Sequence, residues 1–169
     1  MTRFPILAAL FAILLLAACA STAPTGSVAR PEEAPPASSR KAAPETTIIL
    51  DRAAADRLRA AKGITLQWIG WDRRGSLRVI EEDGVIRLIG AHHQADGPGR
   101  LALDGEVREI GADYFIFDGL ISIADTPDSG RSCSANKQWR FAITQDRPYW
   151  RLREFEWCDG LTDYVDIYF

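Results

Sequence analysis

The sequence is poor in the residues that most often carry chemistry. It has two histidines (His92 and His93, adjacent), one methionine and three cysteines in 169 residues. With so few imidazoles, a histidine-built metal centre or a serine–histidine relay has little to draw on. No nucleophile–base pair, carboxylate dyad or metal-ligand cluster can be assembled from the spacings, so the chain is read as non-catalytic and without a cofactor. Runs of lysine and arginine are also missing. Twenty basic residues face 23 acidic ones for a formal net charge of -3, and from Thr47 onward sixteen basic residues meet twenty acidic ones. Such a surface offers no general attraction to a phosphate backbone, which argues against nucleic acid as a partner. No apolar stretch reaches the roughly twenty residues that a membrane-spanning helix needs.

What is present begins with an export signal. Met1 to Arg3 supply positive charge, residues 4–18 are almost wholly apolar, and Leu16-Ala17-Ala18-Cys19 follows at once. That order of parts is that of a secretory signal. Leu16-Ala17-Ala18-Cys19 resembles the lipobox of bacterial lipoproteins, in which small residues precede a cysteine that is lipidated after cleavage. The resemblance implies a lipid anchor at Cys19. With Ala20 rather than Asp next, it also implies transfer to the periplasmic face of the outer membrane. Ordinary cleavage after Ala18-Cys19-Ala20, releasing a soluble periplasmic protein, is the competing expectation.

Residues 20–46 hold five of the nine prolines with Ala, Ser and Thr between them. They show no apolar period that could offset the entropy of ordering, so a flexible tether is expected. It would reach roughly 80 Å fully extended and about 30 Å as a coil. The organisation expected is therefore a signal at 1–18, a lipidated cysteine and tether at 19–46, and one domain at 47–169.

All five tryptophans lie in that domain, and the core must be built there. Residues 48–63 suggest one short helix with Asp51 as N-cap, and Ala54, Leu58 and Ala61 on one face. Beyond Gly63 the apolar period changes to two. Asp83-Gly84 is a hairpin signal between two strands. Three strands then repeat a pattern of two apolar residues, a glycine and a further inward residue: Ile86, Leu88, Gly90 and His92; Leu101, Leu103, Gly105 and Val107; Phe115, Phe117, Gly119 and Ile121. Glycine recurring on an inner face signals sharp sheet curvature, and links this short favour an antiparallel meander. Further strands are expected at 138–144, 149–157 and 162–169. The total of about eight suits a mainly β, lipocalin-like small barrel, closed or nearly closed, although alternation alone does not separate it from a sandwich.

With Cys19 assigned to lipid, Cys133 and Cys158 form an even pair in an oxidising compartment, and a disulfide is expected. His92 is a candidate polar or ligand-contacting group at an inward position. The 149–157 segment carries charge on both faces, so an arginine pair or a glutamate pair would approach the interior. Arg151 and Arg153 are candidates for contacting an anion, with Asp163 or Asp166 available for cross-strand pairing. Val165, Ile167 and Phe169 alternate up to the terminus, but charged outward positions on the other strands argue against a lipid-facing barrel.

The C-terminal third, with Tyr149-Trp150-Arg151, Cys158-Asp159-Gly160 and Asp163-Tyr164-Val165-Asp166-Ile167-Tyr168, resembles a group of small exported bacterial proteins of unknown function. That resemblance implies a shared design and no activity. Two functions remain open on the sequence. One is a membrane-anchored envelope module that contacts a protein or glycan; the other is a barrel holding a small apolar or amphipathic ligand.

Overall fold

A computed structural model describes residues 45–169; the export signal, Cys19 and the tether through residue 44 lie outside the described residues. The elements are β1 (Ile48–Ile49), α1 (Arg52–Arg59), β2 (Gly63–Leu66), β3 (Ser76–Glu82), β4 (Val85–His93), β5 (Arg100–Ile110), β6 (Tyr114–Ala124), β7 (Ser132–Ala142), β8 (Tyr149–Leu152) and β9 (Val165–Tyr168). Eight strands form one antiparallel sheet in the order β2-β9-β8-β7-β6-β5-β4-β3, while β1 pairs with β5 in parallel. The two ends of this path meet through a single bridge between Ile64 and Gly75, so the sheet is nearly closed into a barrel.

The hairpin at Asp83-Gly84 forms as expected. Both residues have positive φ (52° and 79°), the conformation that a two-residue turn needs to match strand twist. The glycine repeat also serves curvature. Gly105 and Gly119 face each other across β5 and β6. A Cβ on Gly119 would lie 2.5 Å from both the Asp104 carbonyl oxygen and the Gly105 Cα. The Phe117 ring covers the bare backbone there, and the indole N–H of Trp139 donates to the Gly119 carbonyl at 2.8 Å. The missing side chains thus let the strands bend while neighbouring aromatics fill the space.

Inside the barrel the core is continuous. Ile86, Leu88, Leu103, Phe115, Phe117, Trp139, Phe141, Trp150 and Leu152 are all closed to solvent. Phe115 stacks on Phe141 at 5.0 Å and meets Trp150 edge-on at 5.6 Å. Thr47 ties the start of the domain to the barrel: its hydroxyl donates to the Val107 carbonyl at 2.7 Å and accepts from the Ile86 N–H at 2.9 Å.

Three sequence expectations need correction. The helix is shorter than 48–63, because Ile48 and Ile49 pair with Glu109 and Ile110 instead of extending it. Asp51 is still the N-cap, accepting from the Ala54 N–H at 2.7 Å, and Ala54 and Leu58 are buried. The strand expected at 138–144 starts earlier: β7 begins at Ser132 and pairs with β6 along its whole length, its outer face before 138 being polar. Finally, the strand expected over 149–157 stops at Leu152. Trp150 and Leu152 face inward and Arg151 outward, so neither an arginine pair nor a glutamate pair enters the barrel. Beyond it Glu154 pairs with Lys137, and Trp157 packs edge-on against Trp139 at 5.2 Å.

Candidate functional site

The expected disulfide is present: Cys133 and Cys158 are joined with Cα atoms 5.8 Å apart. Cys133, Cys158 and Asp159 are close enough together to suggest a metal site, but the sulfurs are bonded to each other and are not thiolates.

Beside this bridge lies a buried charge network that sequence reasoning missed. Arg131 donates from Nε and Nη2 to Asp159 (both 2.8 Å), and from Nη1 and Nη2 to Asp163 (both 2.9 Å). Its remaining Nη1 hydrogen reaches the Thr126 carbonyl at 3.1 Å. All five guanidinium donors are therefore used, which is what a buried arginine requires. The Trp68 indole N–H also donates to Asp163, at 2.9 Å. The two carboxylates hold the guanidinium firmly protonated, and Arg131 holds the Asp159 carboxyl down at about 2. Asp163, expected across from Arg151, belongs to this network instead.

His92 is inward, as its place in the repeat implies, but it is a seam residue. Its Nδ1 accepts the Leu66 N–H at 3.1 Å, joining β4 to β2 where the barrel closes. The adjoining cleft, which Asp72, Arg73 and His93 also line, is only about 140 Å³, below the range of ordinary ligand pockets. Burial lowers the affinity of His92 for a proton; the Arg73 backbone carbonyl opposes this and His93 adds to it. The folded protein thus holds a neutral ring, while the unfolded chain takes up a proton near 6.5. This contribution to stability is complete above that value and is lost as pH falls below it. Thermal unfolding should show the midpoint dropping between neutral pH and about 5. His92→Gln should cost about 1–3 kcal/mol at neutral pH, the cost of leaving the Leu66 N–H unpaired, and should flatten that dependence. His93→Gln, at an exposed position, should leave the stability at neutral pH unchanged and weaken the pH dependence only slightly, by removing a minor influence on His92. A wild-type-like pH profile in His92→Gln would remove the histidine from the seam account.

The remaining candidates meet on the outer face of β8 and β9. Arg151 and Asp166 are cross-strand partners in register. The guanidinium donates from Nε and Nη2 to the two carboxylate oxygens, each at 2.7 Å, and Asp166 is fully buried beneath it. Burial pushes the Asp166 carboxyl up, Arg151 opposes this, and Asp166 in turn keeps Arg151 protonated. Aromatic rings hem in the guanidinium: Tyr164 at 4.0 Å, Tyr149 at 5.2 Å and Trp71 at 5.6 Å. Arg153 does not join the pair; it is exposed and lies 4.9 Å from the Phe155 ring. Arg147, not singled out by the sequence, donates to Gln145 Oε1 at 2.6 Å. Arg147, Arg151 and Arg153 line one open cleft of about 360 Å³, walled by Phe155 and Tyr164.

Among the described residues, neither Arg147 nor Arg153 has a carboxylate within ion-pair distance. The other large outer cleft, about 350 Å³ over Gly105 and Gly119, is different. Its charges are matched internally: Arg87 with Asp104, and Arg108 with Asp118 and Glu106.

A family model, the PM1083 family, matches residues 46–169. Uncharacterized protein PM1083 of Pasteurella multocida (strain Pm70) is 33% identical over 106 residues, covering 62% of this chain and 68% of that protein. No solved structure matches. The whole barrel, from the residue before Thr47 to the C-terminal Phe169, lies within the family match, and the chain belongs to the PM1083 family.

Proposed function

We propose that the protein is a lipid-anchored module of the bacterial cell envelope, non-catalytic, that binds its partner or ligand on the outside of the barrel at the Arg147–Arg151–Arg153 cleft. One observation carries this reading: the inward positions are filled by packed aromatic and aliphatic side chains, while the outer cleft holds cations without carboxylate partners among the described residues. A barrel is compatible with ligand binding, but a packed interior leaves no room for an apolar ligand of ordinary size. Guanidiniums without carboxylate partners beside half-buried aromatic rings are, by contrast, a common recognition surface. The signal-like residues 1–18 and the lipobox-like sequence ending at Cys19 support a position at the membrane, and residues 20–46 offer a tether long enough for the domain to reach a nearby partner.

Native mass spectrometry of the full chain, taken from its own envelope in mild detergent, tests the reading. A co-purifying molecule or protein should be present with the wild type and lost with Arg147→Gln/Arg153→Gln. A ligand retained by that double variant would place binding elsewhere and overturn the assignment.

A further inference from the structure

Charge and geometry define what the cleft can take. Three guanidiniums, those of Arg147, Arg151 and Arg153, share the one carboxylate of Asp166, which pairs with Arg151 and also feels the charge of Arg147, so the opening keeps a net of about two positive charges. A phosphate monoester carries about -1.5 to -2 at neutral pH and has three strong acceptor oxygens. A carboxylate would balance only one of those charges. The donors are also held in place before any ligand arrives. Asp166 engages Nε and Nη2 of Arg151, and among the described residues Nη1 has no hydrogen-bond partner. Gln145 holds Arg147, and Phe155 lies against Arg153. Guanidinium forks match phosphate oxygens well. Phe155 and Tyr164, packed edge-on at 5.2 Å, border the guanidiniums with one ring face and one ring edge, an aromatic margin against which the carbon skeleton carrying a phosphate can rest.

We propose that this cleft binds a phosphate monoester borne by a sugar or by a lipid headgroup. The inference rests on the outer cleft being the binding face.

The test uses the full-length protein in detergent, with the arginine Nε–H resonances followed by nuclear magnetic resonance. Inorganic phosphate and glucose 1-phosphate are the soluble probes. Phosphatidylcholine vesicles with and without phosphatidic acid are the membrane probe, read by flotation. The expected result is saturable movement of the Arg147, Arg151 and Arg153 resonances with at least one phosphate probe. Affinity should fall about tenfold or more in Arg147→Gln/Arg153→Gln, the loss of at least one charge-assisted contact. Binding should also weaken as pH drops below about 6, where the monoester dianion takes up a proton and becomes a monoanion. Thermal unfolding of the double variant checks that it still folds.

Soluble probes binding without vesicle capture identifies a sugar or free phosphate; capture that requires phosphatidic acid identifies a headgroup. Each of these supports the proposal. No saturable shift and no capture, equal binding of acetate, or undiminished binding by a folded double variant would overturn it. If phosphate fails while another co-purified ligand still depends on Arg147 and Arg153, the binding face stands and only the phosphate assignment falls.

Discussion

Replacing Arg131 with Met should destabilise the domain by about 3–5 kcal/mol, the cost of removing one partner from a buried ion pair. The reason is what stays behind. Asp163 is fully buried, and without Arg131 its sole remaining side-chain donor among the described residues is the Trp68 indole. The Thr126 carbonyl loses its guanidinium partner as well, so the turn before β7 comes loose from the segment leading into β9. Asp163→Asn should cost less, because Asp159 still balances the guanidinium and the amide oxygen can still accept from it. The pair Arg131→Met/Asp163→Leu should recover part of the loss, since an apolar pair leaves no stranded charge. Chemical denaturation of the three variants measures this. A change under about 1 kcal/mol for Arg131→Met would mean that the network behaves as a surface ion pair.

The disulfide should contribute a similar amount through a different mechanism. Cys133 and Cys158 are 25 residues apart, and closing a loop of that size restricts the unfolded chain by about 3 kcal/mol. Cys133→Ala/Cys158→Ala should lower stability by about that much under oxidising conditions, and a reductant should then have no further effect. Arg131 sits two residues before Cys133, and Asp159 directly follows Cys158. Bridge and ion network therefore fasten the same two segments. Removing both should cost less than the sum of the separate losses, because once one fastening is gone the segments separate more readily. Strict additivity in a double-mutant cycle would show that the two act independently.

The regular parts of this fold were legible because their physics is local. The Asp83-Gly84 turn, the alternation in β4 to β6 and the recurring glycines each follow from neighbours one or two positions away. They were enough to imply a curved meander. The length of β8 was not legible in this way. Alternation continues past Leu152, yet the chain leaves the sheet, as contacts of Trp157 with Trp139 and of Cys158 with Cys133 draw it toward β7. For β7 the error ran the other way: Ser132 to Lys137, polar on their outer face, look like a loop, and their pairing is visible only once β6 lies beside them.

At the candidate site, the Arg151–Asp166 pair was accessible from cross-strand register. Arg147 was not, because it lies in the connection between β7 and β8, where no strand alternation says which way a side chain faces. The Arg131 network joins residues 28 and 32 positions apart in sequence. One signal could have found it: once Cys133 and Cys158 are paired, Arg131 and Asp159 are carried beside each other.

We propose that this filled barrel works at a membrane surface, held there by lipid on Cys19. Growth with a radiolabelled fatty acid, followed by fractionation of wild type and Cys19→Ser, tests it most directly. The wild type should carry label and sediment with membranes, whereas Cys19→Ser should carry none and appear in the soluble fraction. Unlabelled wild type, or membrane attachment that survives in Cys19→Ser, would contradict the account.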